Sequence, residues 1–103
     1  MTDFSYKSTT KIGTRGTLGL IVLQTDETIE HDMRRMIPID DVALYTSRIA
    51  NADEVTDDTL AAMAQTMPAS AGLFPRGMEF DVVGYGCTSG TSVIGQDKIA
   101  ELV

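Results

Sequence analysis

Apolar positions fall into two kinds of run along this chain, and the polar stretches between them set the order. "LGLIVLQ" (18–24) is a continuous apolar segment of strand length. That is the pattern of a strand covered on both faces, as in a parallel sheet. "VALYTSRI" (42–49) and "FDVVGYG" (80–86) are the second and third strand candidates. Between them the spacing changes to that of helices. In "TDETIEHDMRRMIP", Ile29, Met33, Met36 and Ile37 share one face, Thr25 or Asp26 can cap the start, and Pro38 ends the helix. Glu27 and Glu30 near its start and Arg34 and Arg35 near its end complement the helix dipole.

A second helix starts at Thr56, Asp57 or Asp58 and carries Leu60, Met63, Ala64 and Met67 on one side. Pro68 kinks it rather than ending it, because "ASAGLF" keeps the helical pattern. "PRGME" is a turn, and "SVIGQDKIAELV" opens a third helix. The methionines at 33, 36, 63 and 67 have core spacing. Three strands alternating with three helices predict an α/β fold: three-layer βαβαβα, a short parallel sheet in the order 2-1-3, and helices on both faces.

Residues 1–16 are polar and read as a flexible N-terminal arm, leaving 17–103 as one α/β lobe. A three-stranded parallel sheet has two open edges and buries little area for its length. The expectation is therefore a lobe completed by a missing second lobe or by another chain, as in a homo-oligomer. The net charge of -7 argues against nucleic acid as a partner. The acidic steps Asp40-Asp41, Asp53-Glu54 and Asp57-Asp58 read as solvated turns and helix starts, with no metal site. No apolar run approaches membrane-spanning length, no signal-peptide core is evident, and a single cysteine cannot form an internal disulfide. A cytoplasmic location without membrane association is the expectation.

That single cysteine sits in "GYGCTSGTS" (84–92), straight after the third strand and at the start of the third helix. Ligands of open α/β sheets bind beyond the carboxyl ends of the strands. A helix start favours the thiolate form of a cysteine. The glycines let backbone amides approach a ligand, and the hydroxyls of Thr88, Ser89 and Thr91, with the Gly90 backbone, can hold a carboxylate or enolate oxygen. Thiolate and anion pocket together describe chemistry at a carbon next to a carboxylate. The competing reading is a small buried cysteine in a glycine-rich turn. A phosphate loop lacks its Gly-x-x-x-x-Gly-Lys-Ser/Thr string, and Lys98 lies too far along the last helix to replace it.

Four pieces, "GLIVLQTDETIEHDMRRMIP", "YTSRI", "VTDDTLAAMAQ" and "DVVGYGCTSGTSVIG", together resemble the Asp/Glu racemase superfamily. The branch is that of maleate cis-trans isomerase, arylmalonate decarboxylase and ectoine-utilisation protein A. The resemblance implies one lobe of a two-lobe fold, no metal or organic cofactor, and a cysteine from each lobe on opposite sides of a small carboxylic acid. It implies that Cys87 is the first-lobe catalytic cysteine and that Thr88 and Ser89 hold a substrate carboxylate. The implied activity is isomerase or racemase chemistry; the alternatives are a decarboxylase relative and a non-catalytic carboxylate-binding lobe. The lobe alone is expected to be inactive. The isomerases carry a Pro-Ser-Ser-Asn-Thr-like string after their first strand, whereas this chain has "LQTDET", with Gln24 and Glu27 near the proline and asparagine positions. A carboxylate at Glu27 argues against maleate, and "LIVLQTDETIEHD" is more similar to the ectoine-utilisation proteins. Gln24, Thr25 and Asp26 are candidate pocket-lining residues, helix capping being the other use of the last two. His31 is read as a surface residue and Tyr85 as core packing. Arg48 is read either as an anion contact or as a salt-bridge partner of Asp53 or Glu54.

Overall fold

A computed structural model describes residues 12–37 and 40–103. It contains β1 (Gly16–Leu23), α1 (Ile29–Met36), β2 (Val42–Ile49), α2 (Asp57–Ala71), β3 (Val82–Tyr85), α3 (Thr88–Ile94) and α4 (Gln96–Leu102). The three strands form one parallel sheet in the order β2-β1-β3. β1 is central because its run is apolar at almost every position: Leu20, Ile21 and Val22 are all buried, the last two completely. Burial on both faces is what such a run demands.

Alternation along β1 divides the interior. Ile21 joins Ile49, Met63, Met67 and Phe74 in the main core, under α2. Leu20 and Val22 point to the opposite face, where the Ile29 side chain of α1 lies close to Val22 over Gly86. Fully burying a side chain such as Ile21 contributes about 2 kcal/mol. On β2, Ser47 faces the main core with Ile49, and its hydroxyl donates to the Ser70 carbonyl of α2 at 2.6 Å.

Thr56 caps α2 reciprocally with Thr59: the Thr59 amide donates to Thr56 Oγ1 at 3.1 Å, and the Thr56 amide donates to Thr59 Oγ1 at 2.9 Å. The helix continues through Pro68, as its flanking residues indicate, and stops at Ala71, short of the "GLF" that the sequence pattern had included. Three further differences from the sequence reading have local causes. α1 begins at Ile29, later than expected, because Thr25 and Asp26 serve the loop that precedes it. Met36 is not core: it is 70% exposed at the last turn of α1. The final helix is two helices, because Gly95 takes φ 97° and ψ 141°, a conformation that interrupts any helix and favours glycine. Pro38, and the part of the N-terminal arm before residue 12, lie outside the described residues. Residues 12–16 are tied to the sheet, with the Arg15 amide donating to the Asp41 carbonyl at 2.8 Å and Gly16 already part of β1. Among the described residues, no helix is long and apolar enough to cross a membrane.

Candidate functional site

β3 ends at Tyr85, and the chain stays registered on β1 for one more residue: the Gly86 amide donates to the Ile21 carbonyl at 2.8 Å. Cys87 then takes extended backbone (φ -146°) and becomes the N-cap of α3. Its sulfur occupies the place of a capping oxygen. The Gly90 amide donates to Cys87 Sγ at 3.3 Å, and the Thr91 amide to the Cys87 carbonyl at 3.0 Å. Cys87 is half-buried.

The sulfur borders a groove of about 610 Å³, within the range of small-molecule sites. One wall is Ile29, the first residue of α1. The strand exit supplies Tyr85, Gly86 and Cys87; α3 supplies Thr88, Thr91 and Ser92. Gly95 and Gln96 close the far end, brought there by the break between α3 and α4. The groove lies between the segment leaving β1 and the segment leaving β3. In the order 2-1-3 these are the neighbours whose crossovers diverge to opposite faces, so the groove sits at the topological switch point of the sheet.

The lining contains no carboxylate and no cation. Its polar groups are hydroxyls, amides and the Gln96 carboxamide. The Thr91 hydroxyl is already used, donating to the Cys87 carbonyl at 2.8 Å. The Thr88 and Ser89 amides, in the first turn of α3, have no intrahelical acceptor. Of these only Thr88 lines the groove, so its amide and the Thr88 and Ser92 hydroxyls are the donors available to a ligand oxygen there.

Tyr85 lies beneath this arrangement. Its hydroxyl donates to Met63 Sδ at 3.6 Å. Burial pushes its phenol well above the usual tyrosine range, and the neighbouring Cys87 adds to the effect by its charge and by hydrogen bonding. The phenol and the sulfur flank Gly90 so closely that a Cβ there would stand 2.7 Å from the Tyr85 hydroxyl and 3.1 Å from Sγ.

The residues proposed from sequence separate into two groups. Cys87, Thr88 and Thr91 line the groove; Gly90 is buried behind the sulfur, and Ser89 is exposed on the outer side of the first turn of α3. Gln24, Thr25 and Asp26 do not line it. They hold the loop between β1 and α1: the Gln24 amide donates to the Ile49 carbonyl at 2.8 Å, Thr25 Oγ1 donates to Asn51 Oδ1 at 3.3 Å, and Asp26 Oδ2 accepts the Ile29 amide at 3.0 Å. Among the described residues Arg48 forms no salt bridge with Asp53 or Glu54, and it does not line the groove. Its Nη1 donates to the carbonyls of Leu23, Gln24 and Asp26 at 3.0, 3.3 and 2.8 Å. His31 is exposed on α1. Ile29, Ser92, Gly95 and Gln96 were not anticipated. Ile29 opens the apolar face of α1, a legible signal; Gln96 reaches the groove only because Gly95 breaks the helix.

Among the described residues, no group of three or more His, Cys, Asp or Glu side chains is placed to hold a metal ion. No family model, curated protein or solved structure matches the chain.

Proposed function

We propose that this chain is one lobe of a cofactor-independent isomerase or racemase of the Asp/Glu racemase type, acting at the carbon next to a carboxylate of a small organic acid. The observation that carries this reading is the position of the Cys87 sulfur: half-buried, at the switch point of a parallel sheet, in a groove free of carboxylates. An acid bound there meets donors from Thr88 and Ser92 and no like charge. Glu27, whose position had argued against a dianion, is exposed and outside the lining.

In the proposed step the thiolate of Cys87 takes the proton from the carbon next to the carboxylate. The C–H electron pair moves into the carboxylate as an enediolate, held by the Thr88 amide and the Thr88 and Ser92 hydroxyls. A proton delivered to the opposite face by a group from a second lobe completes inversion; return to the same face gives exchange without inversion. The ectoine-utilisation group is the favoured relative within this class, on the "LQTDET" stretch.

Inversion needs the second lobe, but same-face proton exchange at Cys87 does not, so the test is deuterium incorporation from heavy water into a panel of small carboxylic acids, using wild type and Cys87→Ser. Exchange lost in the variant while acid binding persists supports the reading. Exchange equal in both proteins overturns it, and binding without exchange in either leaves a non-catalytic carboxylate-binding lobe.

A further inference from the structure

Arg48 stands at the end of β2, on the edge of the sheet away from β3, and its guanidinium reaches across the end of β1. One nitrogen, Nη1, contacts three backbone carbonyls where β1 passes into the loop before α1, those of Leu23, Gln24 and Asp26. Hydrogen bonds from a charged donor are stronger than neutral ones. Asp26 passes the constraint on. Its carbonyl is held by Arg48 at 2.8 Å while its carboxylate holds the Ile29 amide at 3.0 Å. Ile29 in turn packs on Gly86, where a Cβ would come within 3.1 Å of Ile29 Cδ1. Gly86 is the residue before the cysteine, and Ile29 is the groove wall facing it.

We propose that Arg48 is a positioning residue of the groove: through the three loop carbonyls and Asp26 it fixes Ile29 as the wall that limits access to the Cys87 sulfur. The Arg48 charge then acts on the loop rather than on a ligand. The proposal rests on the groove being the ligand site. It concerns the shape of the groove, however, so it is tested without any substrate.

The chain's single cysteine permits a direct readout. Alkylation rates of Cys87 are measured with a small probe, iodoacetamide, and a bulky one, N-phenylmaleimide, in the full chain. Ile29→Ala opens the wall and raises the bulky-to-small rate ratio. Arg48→Met raises that ratio by roughly tenfold, the factor equivalent to about 1.4 kcal/mol. Arg48→Lys, which keeps a cationic donor, returns most of the wild-type ratio. The double variant Arg48→Met/Ile29→Ala exceeds Ile29→Ala alone by little, because both act on one wall. An unchanged ratio in a folded Arg48→Met protein, or full additivity in the double variant, overturns the proposal. If Arg48→Met does not fold, Asp26→Ala decides the matter: it cuts the link to Ile29 and must raise the ratio, and an unchanged ratio overturns the proposal. A failure of deuterium exchange leaves these ratios unaffected, so the two readings fail separately.

Discussion

The amide of Gly90 points at the sulfur of Cys87 from 3.3 Å, closing the first turn of α3 on a side chain rather than on backbone. This places Gly90 where no larger residue fits. A Cβ would meet the Tyr85 hydroxyl at 2.7 Å and the sulfur at 3.1 Å. Gly90→Ala is therefore expected to destabilise the fold by about 1–3 kcal/mol, as overpacking does. Gly84→Ala is the control: its Cβ would find Leu20 Cδ1 at 3.8 Å, an ordinary contact. Urea midpoints should fall for the first variant and stay level or rise for the second.

Two neighbours on β2 should respond in opposite directions. Thr46 has a buried hydroxyl oxygen without a hydrogen-bond partner among the described residues, whereas the Ser47 hydroxyl donates to the Ser70 carbonyl at 2.6 Å. Thr46→Val removes an unsatisfied group and should stabilise by about 1 kcal/mol. Ser47→Ala breaks a buried bond and should destabilise by about 1–2 kcal/mol. Chemical denaturation of the two variants beside wild type reads both signs.

Tyr85 gives the protein an alkaline limit. Burial, then the nearby Cys87, raises its phenol pKa in the folded state above the ordinary value near 10. Above that ordinary value the unfolded chain releases the proton while the folded one keeps it. Unfolding is then coupled to proton loss, and stability falls as pH rises. Below it both states are neutral and the effect vanishes. Tyr85→Phe should flatten the decline measured from pH about 10 upward. In an ultraviolet titration of the three tyrosines, the component that ionises last should disappear in this variant. A wild-type titration with no late component would contradict the assignment.

The sheet was legible in the chain because burial on both faces leaves a period-free apolar run: "LGLIVLQ" reads as a buried strand, and the two helical patterns that separate the three strand candidates call for parallel pairing. The order 2-1-3 is the simplest one that right-handed crossovers with helices on both faces allow, and it is the order found. What the sequence hid depended on backbone geometry at single residues. Nothing in "SVIGQDKIAELV" distinguishes a glycine tolerated in a helix from one at φ 97°, and that angle is what brings Gln96 to the groove. Likewise Thr25 and Asp26 suit both a pocket and a cap, and the structure uses them for the loop. The contacts of Arg48 were hidden because a cation at a strand end suggests an anion or a carboxylate partner, whereas the backbone carbonyls it reaches leave no mark in a sequence. Cys87 was identifiable from its glycine-rich surroundings, but the groove beside it arises from the meeting of two segments, after β1 and after β3.

The central claim is that a small carboxylic acid occupies that groove against the Cys87 sulfur. Its most direct test is the rate of iodoacetamide alkylation at Cys87, followed by mass, with and without a panel of small mono- and dicarboxylic acids at saturating concentration. The account predicts that at least one acid slows alkylation strongly while matched inorganic salt does not. Alkylation at the same rate with every acid, in a protein that remains folded, would contradict it.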